Sequence, residues 1–592
     1  MTLKNLTGAA ALGLSLGLIG NACAAPSTSP IKTIKIVAFN DFHGQLESPG
    51  NFRPTPSGSA SIPVGGVDWL AGYVAELRSR NPDSIVVSAG DLIGATPLVS
   101  ALFHDEATIE TMNRLGLALN AVGNHEFDEG KAELLRMQNG GCHPSDPNSC
   151  RGADVGTPVP FEGAKFKFLA ANVVDAASGK TLFAPYAINV IGGVRVAFIG
   201  MTLKETPTIV TPSGVAGLSF KDEAATVNAL VPKLRARGVE AIVVLLHQGG
   251  TIPVTQSEST INNCDEGLDG SPLQGIVNQL DDAVDLVISG HTHQAYNCRL
   301  PNRAGRLISV TSANAQGRVL TDIDVSINRA SGEVVDVQAN NIVVDRSSAD
   351  VLPNTDIKAI VDHYKAIAQP VANRVIGSIS ADITRTATAA GESALGDVIA
   401  DAQWAATAAV GFGEAVAAFM NPGGIRADLS FASGAAAEGD GKVSYGEAFT
   451  VQPFGNSLVT LTLTGAQIHT LLEQQFTGCT EGYPAGAPAS GQPFNRILQV
   501  SASFSYTWQE KGTACDNVDP ASIKIGGIEV EPDAGYRITV NSFMADGGDQ
   551  FYVLTQGTDR LGGALDLDAL ESYFQANSLV APGGRDRIGW LP

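Results

Sequence analysis

Apolar runs alternate with amphipathic segments through the first half of the chain, and this alternation predicts its secondary structure. Six runs rich in Val, Ile, Phe and Leu predict buried strands: Ile34–Phe39, Ser84–Ser88, Phe166–Ala170, Val194–Ile199, Ala241–Leu246 and Asp285–Ile288. Three segments have the apolar spacing of helices: Val67–Arg80, Glu106–Leu115 and Asp222–Arg237. Because buried strands that alternate with helices form sheets covered on both faces, the pattern predicts an α/β layered domain.

The pattern breaks near residue 347, and we place a domain junction there. Thr355–Gln369 predicts a helix at this junction, and Ala394–Ala409 predicts an alanine-rich helix that opens the second half. The remaining second half has shorter strands and more turns. A chain of 592 residues is too long for one ordinary core, so two or more domains are expected.

Short polar clusters stand at the carboxyl ends of the apolar runs. In the first half they read Asn40-Asp41-Phe42-His43, Gly90-Asp91, Gly123-Asn124-His125-Glu126, His247 and Gly290-His291-Thr292-His293. Ligands of α/β sheets bind beyond the carboxyl ends of the strands. Asp41, Asp91, His247 and His291 each follow a predicted strand, so the pattern brings these side chains toward one edge.

The donors in these clusters suit two divalent metal ions held side by side. They are two Asp, one Asn and the imidazoles of His, which are hard to borderline ligands. Two ions about 3.5–4 Å apart polarise phosphoryl oxygens and activate water for in-line attack. Taken singly, a His at a strand end is more often structural, and an Asp after Gly is a common turn or helix cap. The joint pattern favours metal, since five of the nine His residues fall in these clusters.

His125 directly follows Asn124, so the two side chains do not easily face the same ion. Asp128 would lie beside His125 if a helix begins there. A carboxylate partner orients the imidazole and favours its protonated form, which can stabilise a transferring phosphoryl group or protonate a leaving oxygen. The alternative is that Asp128 is simply an acid in the first turn of a helix.

The composition limits the partners and the compartment. The formal charge of −22 argues against a nucleic-acid backbone or an anionic membrane surface as the main partner. A site for a phosphate ester must therefore be a local positive exception, made by metal or clustered Arg. No segment is long enough to be an integral membrane segment. The oligomeric state is left open.

The first 24 residues have the layout of a secretory signal peptide, which predicts a periplasmic or extracellular protein. Lys4 gives a basic start, Ala9–Ile19 an apolar stretch, and Ala22-Cys23-Ala24 a small-residue cleavage site. A lipid anchor on Cys23 is the competing interpretation, but Gly20 stands where a lipoprotein signal usually has Leu. Six cysteines remain after the signal, and nearest-neighbour disulfides are the simplest of fifteen pairings: Cys142 with Cys150, Cys264 with Cys298, and Cys479 with Cys515.

The ordered motifs of the first half resemble those of the calcineurin-like metallophosphoesterases. The second half resembles the C-terminal domain of secreted 5′-nucleotidases, including the bacterial UDP-sugar hydrolase/5′-nucleotidases, in Asn421–Arg426, Gln452–Asn456 and Asn541–Phe551. The resemblance spans roughly residues 32–580. It implies a four-layer α/β/β/α sandwich over residues 25–346, a helical linker and hinge over 347–374, and a C-terminal α+β nucleotide-binding domain over 375–592.

The resemblance also implies the metal ligands. Two sets share one carboxylate: Asp41, His43, Asp91 and His293 for one ion, and Asp91, Asn124, His247 and His291 for the other. His125 with Asp128 would be the catalytic pair. Gln or Asn is frequent in the nucleotidase branch where this chain has His293, which loosens inference about metal preference. Family members use Zn, Mn, Co or similar ions, and the ligand types do not choose among them.

In the resembled family the C-terminal domain holds the nucleoside. The implied substrate-binding residues are Arg385, Asn421, Arg426, Phe454, Asn456, Phe543 and Asp549. Phe454 and Phe543 would sandwich the base, a contact worth about 1–3 kcal/mol per base. Asp549 would accept from ribose hydroxyls, and Asn421, Arg426 and the more loosely aligned Arg385 would meet phosphate or sugar oxygens. The alternative for the two Phe is core packing, and the alternative for Gly547-Gly548 is a simple tight turn.

The leading hypothesis is a secreted phosphohydrolase that removes the terminal phosphate of nucleoside 5′-phosphates by in-line attack of a metal-bound hydroxide, with UDP-sugars as further substrates. A second hypothesis keeps the chemistry but takes 2′,3′-cyclic nucleotides or another small phosphate or sulfur ester. A third, from another class, is a secreted nucleotide-binding protein without catalysis. The intact ligand set argues against the third.

Overall fold

The first domain is built on two six-stranded sheets. The computed structural model describes residues 29–54, 61–210, 212–250, 252, 260–264, 268–434, 438–484, 491–577 and 579–591. The first sheet has the strand order Val334–Val343, Val319–Asn328, Ile31–Phe39, Ser84–Ser88, Leu119–Ala121, Lys167–Leu169. The second has the order Ala295–Pro301, Leu307–Ala313, Leu286–Ser289, Ala241–Leu246, Val194–Met201, Tyr186–Ile191. In the first sheet the four strands from Ile31–Phe39 to Lys167–Leu169 run parallel, and antiparallel pairings join the two strands at the other edge. In the second sheet four parallel strands lie between one antiparallel strand at each edge.

The two sheets pack face to face around a fully apolar layer. Ile36 and Val87 of the first sheet and Phe198 and Leu245 of the second are buried in the same cluster. Each of these strands is apolar in nearly every position because its other face is covered by helices. This layer aligns the carboxyl ends of both sets of parallel strands along one edge of the sandwich.

Helices cover both outer faces and complete the four layers. Val67–Arg80, Glu106–Leu115 and Gly130–Asn139 pack on the first sheet, while Glu223–Arg235 and Pro272–Val277 pack on the second. The predicted α/β/β/α sandwich is therefore confirmed. Short elements fill the connections: Leu98–Ala101, the strand pair Val173–Asp175 with Leu218–Phe220, and the pair Asn51–Phe52 with Ile62–Pro63.

The helix Thr355–Ala372 connects the domains but packs on the first of them. Asn354 caps its start by accepting a hydrogen bond from the Ile357 amide. Ile360 and Tyr364 are buried in the same core as the helices of the first sheet. Most of the predicted linker therefore belongs structurally to the first domain. The predicted hinge function of residues 347–374 stays a prediction.

The second domain is α+β, as predicted. Its five-stranded sheet has the order Gln499–Val500, Ala417–Met420, Gly535–Asn541, Ser457–Thr464, Thr558–Leu565. A smaller sheet has the order Ile528–Glu529, Lys524–Ile525, Phe504–Gln509, Ile588–Leu591, and Val375–Ser378 pairs with Lys442–Ser444. The helices are Ala394–Thr407, Tyr445–Val451, Gly465–Glu473, Ser542–Ala545 and Asp566–Ala576.

The strongest sequence patterns were predicted with the correct bounds. Ser84–Ser88, Ala241–Leu246, Val67–Arg80 and Glu106–Leu115 begin and end where the structure has them. Val319–Asn328 was not predicted as a strand. This strand is the second from one edge of its sheet, and its buried positions alternate with half-buried polar ones. It therefore lacks the continuous apolar run that predicts a buried strand.

The three nearest-neighbour disulfides are present, as the simplest pairing predicted. Cys142 is bonded to Cys150, Cys264 to Cys298, and Cys479 to Cys515. The predicted signal peptide and the alternative lipid anchor at Cys23 lie outside the described residues. In the part of the chain that the structure describes, no helix combines the length and the apolar character needed to cross a bilayer.

Truncating Leu245 should destabilise the sandwich. Leu245 is 0% exposed between the sheets, so Leu245→Ala leaves a cavity and is expected to cost about 2–5 kcal/mol. Leu307 lies in the same sheet but is 57% exposed, which makes Leu307→Ala the matched control. Thermal unfolding of both variants tests the packing. Equal melting temperatures would contradict it.

Candidate active site

The predicted metal ligands converge at the edge where the parallel strands of both sheets end. The first sheet contributes the loops that carry Asp41, His43, Asp91 and Asn124, and the second contributes those of His247, His291 and His293. In the described residues, ligand atoms within 4.8 Å of one another form two groups at this edge: Asp41, His43 and His293, and Asp91, His247 and His291. The predicted convergence is thus seen in the structure, with donors from both sheets in each group.

Asn124 joins the second group through its side-chain oxygen. Its Oδ1 is 3.1 Å from His247 Nε2 and 3.0 Å from His291 Nδ1. Asp91 lies between the groups, since its Oδ2 is 3.0 Å from His247 Nε2 and 3.8 Å from His43 Nε2. This is the position expected of a carboxylate shared by two ions.

The ring nitrogens of His43 and His247 fit a metal site. His43 Nδ1 is 2.8 Å from the Gly94 carbonyl, and His247 Nδ1 is 2.9 Å from the Ala89 carbonyl. A carbonyl only accepts, so each Nδ1 carries a proton, and Nε2 is the ring nitrogen that faces the centre of the site. His43 Nε2 then faces His293 Nε2 at 3.0 Å. Because His293 Nε2 also lies 3.6 Å from Asp41 Oδ1, these two nitrogens and the Asp41 carboxylate are placed to bind one cation together.

The electrostatics agree with this fit. Burial lowers the pKa of His291 and of His293 to about 3, and lowers the pKa of His43 well below its usual range, so all three imidazoles are neutral donors. Burial opposes protonation of His247 as well, but the Asp91 carboxylate raises the pKa of His247 to about 10. A divalent cation beside Asp91 supplies the same compensation that this proton supplies.

The backbone is strained where these ligands turn inward. Five of the seven predicted ligands adopt the left-handed region, with φ between 48° and 72°: Asp41, His43, Asp91, His291 and His293. Non-glycine residues in this region cost about 1–3 kcal/mol each and cluster at functional sites. Gly123 is required beside them, because a Cβ there would lie 2.2 Å from Asp91 Oδ1.

Asn40 and Glu126, for which the sequence predicts no role, hold the ligands in place. Asn40 donates from Nδ2 to Asp41 Oδ2 at 2.6 Å, while its own Oδ1 accepts from the Ala313 amide at 2.8 Å. Glu126 is 3% exposed, and its carboxylate accepts from the amides of Asp91, Leu92 and Gly123 and from Asn120 Nδ2. Glu126 therefore clamps two ligand-bearing loops together. Its place in the Gly-Asn-His-Glu motif is the sequence feature that could have indicated this role.

His125 lies at the rim of this centre with the predicted partner. Its Nδ1 is 2.9 Å from Asp128 Oδ2, and its ring centroid is 5.1 Å from that of His43. Burial disfavours the charged ring, but the carboxylates of Asp128 and Asp91 raise the pKa of His125. Asp128 also accepts from the Ala95 amide at 2.9 Å, which fixes the orientation of the pair.

The second domain adds an Arg and an aromatic ring to this rim. The Phe454 ring stacks beside His125 with centroids 5.9 Å apart and planes at 17°. The Arg426 guanidinium lies 5.8 Å from the centre of the Phe454 ring, and burial lowers the pKa of Arg426 against the opposing effect of Asp128. Arg385 donates from Nη1 to the Arg426 carbonyl at 2.8 Å. These three predicted substrate residues lie together beside the metal ligands.

Asn421 and Asp549 form a second, buried group. Asn421 Nδ2 donates to Asp549 Oδ2 at 2.7 Å, and the other Asp549 oxygen pairs with Arg496. Gln492 donates to the Asp549 carbonyl, and Asn541 orients Asn421 by donating to its Oδ1 at 3.0 Å. Arg496 and Gln492 were not predicted, since neither stands in a motif of the second half.

The last two predicted substrate residues lie near Asp549. The Phe543 ring packs against Gly548, where a Cβ would lie 2.5 Å from the ring, so this Gly is required by the close approach. The Asn456 side-chain oxygen accepts from the Ser542 hydroxyl at 3.3 Å, and the main-chain carbonyl of Asn456 accepts from the Asp566 amide at 2.8 Å. Asn456 thus joins the Phe454 loop to the helices around Phe543.

Comparisons with known proteins agree with this arrangement. The family model for calcineurin-like phosphoesterases matches residues 34–295, and that for the 5′-nucleotidase C-terminal domain matches residues 375–556. Cell wall protein Lmo0130 of Listeria monocytogenes is 32% identical over 567 residues, covering 91% of this chain and 67% of that protein. Endonuclease YhcR of Bacillus subtilis is 30% identical over 547 residues, covering 92% of this chain, which spans 40% of YhcR.

A solved structure extends the comparison to both domains together. The 5′-nucleotidase precursor of Thermus thermophilus superposes with a TM-score of 0.72 at 27% identity, covering 95% of this chain and 99% of that one. The first domain is thus a calcineurin-like phosphoesterase domain, of the class of metal-dependent phosphoester hydrolases. The whole chain belongs to the 5′-nucleotidase family.

Removing the charge of Asp91 should empty the centre of metal. Asp91→Asn leaves both groups without their shared anion, so we expect the metal held by these two groups to be lost and phosphoesterase kcat/KM to fall at least about 100-fold. Elemental analysis and initial rates are the measurements. The exposed Asp336 gives the control Asp336→Asn, which should change neither. Wild-type rates in Asp91→Asn would defeat the metal mechanism.

Glu126→Gln should loosen both ligand loops. The new amide sets an N–H donor against backbone N–H donors, so unfolding free energy should fall by about 1–3 kcal/mol and metal affinity by about 10–100-fold. Competition with a chelator measures the affinity. The exposed Glu333→Gln is the control. A variant that is destabilised but keeps full metal affinity would limit Glu126 to a folding role.

Proposed function

We propose that this protein is an exported phosphohydrolase that removes the terminal phosphate from nucleoside 5′-phosphates with the help of two divalent metal ions. The observation that carries the proposal is the meeting of two donor groups around Asp91 with His125, Arg426 and Phe454 at one rim. Metal ligands supply the chemistry there, while cationic and aromatic groups of the second domain suit a nucleotide. Family membership supports the same substrate class.

Two ions in the two donor groups would polarise the phosphoryl oxygens and activate water. Asp41, His43 and His293 would hold one, Asn124, His247 and His291 the other, and Asp91 both. The side chains at the rim do the rest. Arg426 offsets the charge of the phosphate, and His125, held by Asp128, stabilises the transferring phosphoryl group or gives its proton to the leaving oxygen. Metals and Arg426 supply the local positive charge that a chain of net charge −22 otherwise lacks.

The second domain would select the substrate. Phe454 and Phe543 provide apolar rings for a base, and Asp549 provides a carboxylate for ribose hydroxyls. Asp549 is paired with Arg496 and Asn421, which keeps its oxygens oriented. UDP-sugars are further candidate substrates, because the same base and ribose contacts would serve them.

Export is supported by the three disulfides together with the signal-like first 24 residues. Disulfides persist in oxidising compartments and are rare in the cytosol. We therefore place the activity in the periplasm or outside the cell.

The second candidate is hydrolysis of 2′,3′-cyclic nucleotides or other small phosphate or sulfur esters. The metal ligands and His125 would serve these reactions equally well. A small ester without a base makes no contact with Phe454 or Asp549, so it does not need the nucleoside contacts. A 2′,3′-cyclic nucleotide carries a base and is distinguished from a 5′-phosphate by its relative turnover. The binding protein without catalysis is disfavoured by the complete set of converging donors.

Phe454→Ala should separate these candidates. Loss of base stacking, worth about 1–3 kcal/mol, should raise KM for AMP and UMP roughly 5–150-fold and leave p-nitrophenyl phosphate hydrolysis nearly unchanged. Phe412 is 66% exposed, so Phe412→Ala is the matched control. The panel includes UDP-glucose and 2′,3′-cyclic AMP and is repeated after chelation and metal add-back.

The results assign the substrate class directly. Unchanged KM for AMP in Phe454→Ala would remove the nucleoside pocket from the proposal. Faster turnover of 2′,3′-cyclic AMP than of AMP would favour the second candidate. Hydrolysis that survives chelation would reject the role of metal.

A further inference from the structure

A third group of metal-binding side chains lies outside the centre described above. His104, Glu129 and Glu133 each offer one ligand atom, and these atoms lie within 4.8 Å of one another. His104 follows the short helix Leu98–Ala101, and Glu133 lies on the helix Gly130–Asn139. The group therefore joins separate parts of the first domain.

The His104 ring is oriented as metal-binding imidazoles usually are. Its Nε2 is 3.0 Å from Asp146 Oδ2, while its Nδ1 is 2.6 Å from Glu129 Oε2. In metal sites a second carboxylate commonly holds the outer N–H of the ring and turns the other nitrogen toward the ion. Asp146 is in this outer position, and Nδ1 points to Glu129 on the side of Glu133.

The surrounding structure holds the group before any ligand arrives. The His143 ring stacks on His104 with centroids 4.3 Å apart and planes at 11°. His143 and Asp146 both lie in the loop that the Cys142–Cys150 disulfide closes. Arg136 fixes Glu133 through bonds of 2.6–2.9 Å. An ion would therefore meet side chains that are already ordered, which limits the entropy lost on binding.

The group faces a cavity with room for an ion and its water. The cavity has a volume of about 240 Å³ and is lined by His104, Glu129 and Glu133 and also by His125, Asp128 and Phe454. Its charge favours a cation, because Asp105 and Asp128 line it as well. Arg136 is already engaged by Glu133 and Glu106.

We propose that His104, Glu129 and Glu133 bind a third divalent cation, separate from the two at Asp91. One imidazole nitrogen with carboxylate oxygens and water suits Mn²⁺ or Zn²⁺. The ion would tie the segment after Asp128 to His104, whose outer nitrogen contacts Asp146 of the disulfide-closed loop, and would add positive charge to the cavity beside His125. The alternative to the ion is a second proton on the His104 ring. Protonated His104 would donate to both Glu129 and Asp146 without a metal ion.

Counting bound Mn²⁺ distinguishes the ion from the proton. Equilibrium dialysis of the full chain, with elemental analysis, should give three ions per wild-type chain and two for Glu129→Gln. Glu129 is exposed enough for its amide to be accommodated, and His104→Gln should give the same count of two. The matched control Glu76→Gln changes an exposed carboxylate on the helix Val67–Arg80 and should keep three.

A variant of the active centre makes the test independent of the proposed function. Asp91→Asn should retain one ion, and Asp91→Asn with Glu129→Gln should retain none. Equal counts in wild type and Glu129→Gln would overturn the third site and favour the proton. Equal counts in Asp91→Asn and in the double variant would overturn it as well. If only the two-metal centre is wrong, the wild-type chain will bind fewer than three ions, but Glu129→Gln will still remove one of them.

Discussion

The site depends on the Asp91 carboxylate, which its two groups of donors share. It lies between two groups of donors, 3.0 Å from His247 and 3.8 Å from His43, and one of these groups contains a second buried carboxylate, that of Asp41. Such an arrangement is unfavourable without positive charge at its centre. The face-to-face packing of two sheets is what allows donors from both to meet there, because it brings two sets of strand ends to one edge.

Holding these donors requires a strained backbone and a buried clamp. The ligand residues after the strands turn into the left-handed region, and the Glu126 carboxylate accepts hydrogen bonds from two of their loops at once. A rigid apolar layer between the sheets supports this strain. The fold therefore holds the predicted metal ligands largely in place, and the positive φ values of Asp41 and Asp91 show the backbone strain that this requires.

The second domain completes what the first cannot provide. The strand ends carry ligands for cations, but the aromatic ring and the Arg at the rim come from the loops at Phe454 and Arg426. The Phe454 ring stacks beside His125 across the domain boundary, so the groups that we propose for chemistry and for recognition meet there. The helix Thr355–Ala372 is buried against the first domain, so any rearrangement between the domains would have to occur beyond its packed turns.

Elements whose residues all face apolar surroundings, such as Ser84–Ser88 and Ala241–Leu246, could be predicted from the sequence, as could the polar residues that follow them. Local periodicity and strand direction suffice for both. Val319–Asn328 could not be predicted in the same way, because its alternation of buried and half-buried residues depends on what covers each face of the sheet. Only the tertiary structure paired Asp549 with Arg496 and His104 with Asp146, since contacts between residues so far apart are decided by packing and not by spacing along the chain.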